Sequence, residues 1–112
     1  MVLADGTTIQ VKARLITTPP LRGQLQTSPL RSWTFGKLAL VQLLADDYSV
    51  VRGVLLPSAV AEAMSSNRPH VHGDVLMMTP AVLNHPDAED ITESLKVAAA
   101  ELGARTGSTI GL

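Results

Sequence analysis

The sequence contains no cysteine and only three aromatic residues, Trp33, Phe35 and Tyr48. Without thiols there is no disulfide framework, no thiolate zinc site and no cysteine nucleophile, and a reducing compartment is permitted. So few rings leave little for base stacking. Long apolar runs are missing as well: the longest nearly uncharged stretch, Leu38 to Ala45, is 8 residues, against the roughly 20 that a spanning helix requires. The N-terminus lacks a basic and then apolar signal pattern. There is no Walker loop, no dinucleotide fingerprint and no G-x-S-x-G nucleophile turn. These absences lead us to expect a soluble, cytoplasmic protein with no membrane partner. A chain of 112 residues is enough for one domain whose core needs no metal or disulfide staple.

Charge is balanced overall, at −1, but sorted along the chain. Residues 1–45 hold Lys12, Arg14, Arg22, Arg31 and Lys37 against Asp5 alone, a net of +4, and residues 46–112 hold four basic against nine acidic residues, a net of −5. Such sorting suits a basic face turned to a polyanion, and it also arises by chance in a short chain.

The clearest local signal is Asp5-Gly6, a two-residue turn, followed by strict alternation from Thr7 to Ile16. This predicts a hairpin with Met1–Ala4 as its short first arm and a strand as its second. Ile9, Val11, Ala13 and Leu15 share one strand face, expected to pack, and Thr8, Gln10, Lys12 and Arg14 the other, expected to be polar and basic. From Thr17 to Ser32 the three prolines and absence of period predict a long loop, either functional or disordered. Trp33–Phe35 reads as a short strand, with core packing as the plain explanation of its two rings. Leu38–Ala45 and Ser49–Leu56 read as a hairpin of buried strands, although the Leu and Ala content of the first also suits a helix.

Pro57 ends that hairpin, and Ser58 is placed to cap a short helix over Ala59–Ser65 with Val60 and Met64 facing the sheet. Val75–Met78 reads as a further short strand or buried segment, with a helical turn from Thr79-Pro80 through Leu83. Asp87 is placed to cap a C-terminal amphipathic helix carrying Ile91, Leu95, Ala98, Ala99 and Leu102 on one face up to Gly103. The expected fold is α+β (or α/β): a mixed β-sheet starting with a hairpin, flanked by a short helix and a C-terminal amphipathic helix. Residues 1–104 form the single domain and 105–112 a flexible C-terminal tail.

Thr8-Ile9-Gln10-Val11-Lys12-Ala13-Arg14, following the Asp5-Gly6 turn, resembles the second half of the PD-(D/E)XK nuclease motif, in which an acidic residue, any residue and Lys lie on one strand. The likeness covers residues 1–16 and extends loosely over Trp33–Pro57. It implies a restriction-endonuclease-like fold and, in an active member, a Mg²⁺-dependent phosphodiesterase acting on DNA or RNA. On this resemblance Gln10 and Lys12 are the catalytic pair, with Gln10 the metal ligand. Residues i and i+2 share a strand face, so Gln10 would hold Mg²⁺ while Lys12 steadies the attacking water or the phosphorane charge.

The sequence departs from the pattern in two places. Gln10 stands where a carboxylate is usual, and the metal-binding Asp of the first strand would fall before Met1, a role that Asp5, in the turn, does not fill. The expectation is therefore a truncated or degenerate, inactive member that still associates with nucleic acid. Arg14, on the Gln10 face, and Arg22 and Arg31 in the loop are the expected phosphate contacts. The alternative is a small non-enzymatic interaction module, with a protein partner or a second copy forming a homodimer. His70, His72 and Asp74 would align three metal-capable groups on an extended segment, but Pro69 and Gly73 favour a surface loop.

Overall fold

The computed structural model describes residues 5–68, 70 and 73–110, with side chains described through Glu101. It has an α+β fold built on a mixed four-stranded sheet in the order β1-β2-β3-β6. Strand β1 (Ile9–Ile16) lies parallel to β2 (Lys37–Leu44), which pairs antiparallel with β3 (Val50–Pro57). Helix α1 (Ser58–Met64), the short strands β4 (Ser66–Arg68) and β5 (Gly73–Val75), and the single turn α2 (Pro80–Leu83) follow. Strand β6 (Glu89–Asp90) then adds to β3, and the chain runs into α3 (Thr92–Ile110). Among the described residues no helix is long and apolar enough to cross a membrane.

The expected Leu38–Leu56 hairpin is the β2–β3 pair, and its first run is a strand. Its turn places Tyr48 at φ 60, where Tyr48 N donates to Leu44 O at 2.8 Å and Ser49 N donates to Asp47 Oδ1 at 3.0 Å. The segment from Thr17 to Gly36 is a crossover, because parallel strands cannot be joined by a tight turn. A 3-10 turn (Arg22–Leu25) begins it, tied down by Gln24 Oε1, which accepts from Thr17 N at 3.0 Å and Leu21 N at 2.9 Å. Beyond that turn the segment pairs with the chain around β5: Leu30 N donates to Asp74 O at 2.8 Å, Asp74 N to Leu30 O at 2.9 Å, and Thr27 N to Leu76 O at 3.0 Å. Gly73 allows the approach, since a Cβ there would lie 2.9 Å from Pro29 Cβ. Trp33–Phe35 is part of this crossover and forms no strand; instead the two rings pack at 5.6 Å.

This second layer of crossover, β4 and β5 covers one face of the main sheet. Leu38, Leu40, Val54 and Leu56 from the sheet meet Leu30, Leu76 and Met78, with Ala61 of α1 and Val82 and Leu83 of α2 closing the core. Ser58 does not cap α1; Pro57 is at the N-cap position and makes no side-chain bond. The C-terminal helix starts later than Asp87 because β6 intervenes: Asp90 Oδ1 accepts from Thr92 N at 2.8 Å. It rests on β3 at Gly53, whose O accepts from Ile91 N at 2.9 Å and whose N donates to Thr92 Oγ1 at 3.0 Å. The helix continues past Gly103 to Ile110.

The polar and basic row of β1 is where expected, but the covering of its two faces is not. Its even-numbered side chains turn toward the crossover, and its apolar odd-numbered side chains lie largely in the open: Ile9 is buried, but Val11 is 43% and Leu15 is 42% exposed. The cause is the position of the covering elements. The crossover descends on the Lys12 face, whereas α3 packs on the opposite face beside β3, leaving a trough between Ile91, just before the helix, and Leu95 within it on one side and Ile9 and Val11 of β1 on the other. The proposed first arm of the hairpin, Met1–Ala4, lies outside the described residues.

Candidate functional site

The Gln10-Val11-Lys12 stretch lies on a regular strand, so Gln10, Lys12 and Arg14 form one row with a period of two. In the parallel register they stand beside Leu38, Leu40 and Gln42 of β2. The row sits at the margin of the core: Gln10 is exposed, and Lys12 and Arg14 are half-buried. The crossover holds both cations. Lys12 Nζ donates to Ser28 Oγ at 2.8 Å and to Pro29 O at 3.3 Å. Arg14 Nη2 donates to Gly23 O at 3.1 Å. Partners of this kind fix where the charges sit without neutralising them.

Two polar clefts flank the row. The smaller, about 150 Å³, is lined by Gln10, Lys12, Arg31, Ser32 and Phe35. The larger, about 430 Å³, has Arg14 on one side, Arg68 and His70 on another, and Gln26, Thr27 and Ser28 of the crossover between them. The structure thus brings Arg31 to Gln10 and Lys12, and places Arg14 in the neighbouring cleft. Arg22 is exposed at the start of the 3-10 turn and lines neither cleft. Arg68 and His70 were not singled out as partners of Arg14 by the sequence. No spacing rule links them to β1, because pairing of the crossover with the β5 segment brings the two regions together.

The loop set His70, His72 and Asp74 does not gather as a described metal site. His72 lies outside the described residues. Asp74 is engaged in the second layer instead, where its Oδ2 accepts from Trp33 Nε1 at 2.8 Å and its Oδ1 from Asn67 Nδ2 at 3.0 Å. These bonds, Trp33 first and Asn67 second, hold its carboxyl below the ordinary value of 3.8. Asp5 likewise accepts from Thr7 N at 2.9 Å within its turn, which lowers its carboxyl.

Mg²⁺ requires several oxygen ligands in near-octahedral array, carboxylates foremost. Around Lys12 the smaller cleft offers the Gln10 amide, a serine hydroxyl and backbone carbonyls, with two cations beside them. Among the described residues no group of three His, Asp or Glu side chains stands together to hold a metal ion. This donor set does not fit Mg²⁺, and its two cations fit an anion. No family model and no curated protein matches the sequence.

Proposed function

We propose that this chain is a nucleic-acid-associated domain of PD-(D/E)XK-like type that binds the sugar–phosphate backbone without cutting it. The observation that carries this reading is the Gln10–Lys12 cleft: a cation fixed on a rigid strand, a second cation brought to it by the crossover, and a neutral amide where a metal ligand would stand. Phosphate oxygens accept from ammonium and guanidinium groups without regard to base sequence, so the expected binding is sequence-tolerant and strongly salt-dependent. Sparse aromatics agree with backbone contact over stacking. A cytoplasmic location, where nucleic acid is at hand and a cysteine-free chain is at no disadvantage, belongs to the same reading.

The test is a fluorescence-anisotropy titration of single- and double-stranded oligonucleotides at several salt concentrations, with and without Mg²⁺. Loss of affinity with rising salt, a shallower salt slope in Lys12→Ala and Arg31→Ala, and unchanged substrate length are the expected results. Absence of binding at low salt would overturn the reading, and Mg²⁺-dependent shortening of the oligonucleotide would overturn its non-hydrolytic part.

A second reading has one observation behind it. The exposed Val11 and Leu15 on the odd face of β1 suit a non-enzymatic module that stacks this face on a second copy. Lys12 and Arg14 point to the opposite side of the sheet, so such stacking would bring no like charges together. Sedimentation of the wild type as a dimer and of Val11→Glu as a monomer would support it.

A further inference from the structure

We propose that the larger cleft, between β1 and the end of β4, binds a phosphate monoester through Arg14, Arg68 and His70. Its volume of about 430 Å³ lies within the range of small-ligand pockets. The three side chains come from two distant places in the chain, Arg14 from β1 and Arg68 and His70 from the end of β4 and just beyond it, and line one space. Gln26 and Ser28 of the crossover add neutral hydrogen-bonding groups to its wall.

Among the described residues the lining has no carboxylate and no aromatic ring apart from the imidazole. The described lining therefore presents nothing to pair a cation and little to stack a base, and its recognition is of negative charge. Arg14 spends one N–H on Gly23 O at 3.1 Å; this holds the guanidinium while its other donors remain. The described ion pairs are Arg52–Asp90 and Lys96–Glu93, so neither Arg14 nor Arg68 has a described carboxylate partner. A monoester carries close to two charges and three terminal oxygens. Two guanidinium groups and an imidazole on facing sides of one cleft match that group better than a backbone diester, which has one charge and two free oxygens. Arginine also forms paired bonds to phosphate, which makes the match geometric as well as electrostatic.

The same chemistry has two sources, the 5′-phosphorylated end of a nucleic-acid strand and a free mononucleotide. The first rests on the function proposed above; the second does not. Three probes separate them: a 5′-phosphorylated oligonucleotide, its 5′-hydroxyl twin, and adenosine 5′-monophosphate compared with adenosine. Wild type and Arg68→Ala are measured by anisotropy for the oligonucleotides and by thermal shift for the nucleotides, with unliganded melting confirming that the exposed Arg68→Ala variant folds.

The expected result is about tenfold tighter binding of the phosphorylated strand, the size of one charge-assisted hydrogen bond, with that preference lost in Arg68→Ala. Equal binding of the two strands, with no nucleotide shift, would overturn this proposal and leave the backbone reading standing. No oligonucleotide binding together with an Arg68-dependent shift by the monophosphate would support the cleft, with a free ligand as its source, and overturn the backbone reading. A phosphate preference untouched by Arg68→Ala would also overturn the assignment to this cleft.

Discussion

Trp33 Nε1 donates to Asp74 Oδ2 at 2.8 Å, joining residues 41 positions apart. The bond fastens the end of the crossover to β5, and with Asn67 on the other carboxylate oxygen it also ties in β4. In the second layer, which carries one wall of each polar cleft, this one ionised side chain thus links three segments, beside the backbone pairs of Leu30 with Asp74 and Thr27 with Leu76.

This anchor has a pH signature. Asp74 titrates below its ordinary value of 3.8 because hydrogen bonds from Trp33 and then Asn67 favour the carboxylate. A carboxyl depressed on folding contributes stability that is fully present above the unfolded value and lost as pH falls through the folded one. Trp33 fluorescence should stay constant from neutral pH down to that range and then change. Asp5, Asp47 and Asp90 are lowered too, so Asp74→Asn should reduce the acid-induced fall in melting temperature without abolishing it. An unaltered melting-temperature profile in Asp74→Asn would contradict the linkage.

Thr27 is the buried polar group behind the larger cleft, and its Oγ1 accepts from Leu76 N at 3.1 Å. Thr27→Val keeps the shape but strands that N–H in the core. The expected loss is about 1–3 kcal/mol, read from urea denaturation, with Thr27→Ser retaining most of the stability.

Gly53 is where α3 touches the sheet. A Cβ at this position would run into Leu95 Cδ1, with Ile91 Cγ1 3.4 Å away on the other side. Gly53→Ala should therefore cost about 1–2 kcal/mol through forced repacking. Adding Leu95→Ala should cost less in that background than in the wild type, a coupling that a double-mutant cycle measures.

Tyr48 occupies the left-handed region at φ 60 in the β2–β3 turn, and its side chain is exposed. A residue without Cβ is relieved of that steric cost, offset in part by glycine's greater unfolded-state freedom. Tyr48→Gly should raise stability by up to about 1 kcal/mol, seen as a higher melting temperature with no change in oligonucleotide binding.

Much of the architecture follows from short-range pattern. Alternation marked β1, Val-rich sequence marked β3, and Pro80 after Thr79 marked α2, because these signals depend on side-chain period and backbone restriction within a few residues. The same alternation placed Gln10, Lys12 and Arg14 in one row. It was silent on which face of β1 would be covered, since that depends on elements far along the chain. The row with the cations was covered by the crossover, and Val11 and Leu15 were left in the open.

The sequence by itself determined β1, the β2–β3 hairpin, the helical segments α1 and α2, the C-terminal helix, the charge-bearing row on β1 and the absence of thiol chemistry, all properties of composition and local geometry. Only the tertiary structure decided that the proline-rich segment from Thr17 to Gly36 is a crossover between parallel strands, and that it carries Arg31 to Lys12. It also decided that Arg68 and His70 stand across a cleft from Arg14. Those neighbours are chosen by backbone pairing of Leu30 with Asp74 and Thr27 with Leu76, contacts that a linear pattern does not encode because they form only when the two layers close on their shared core.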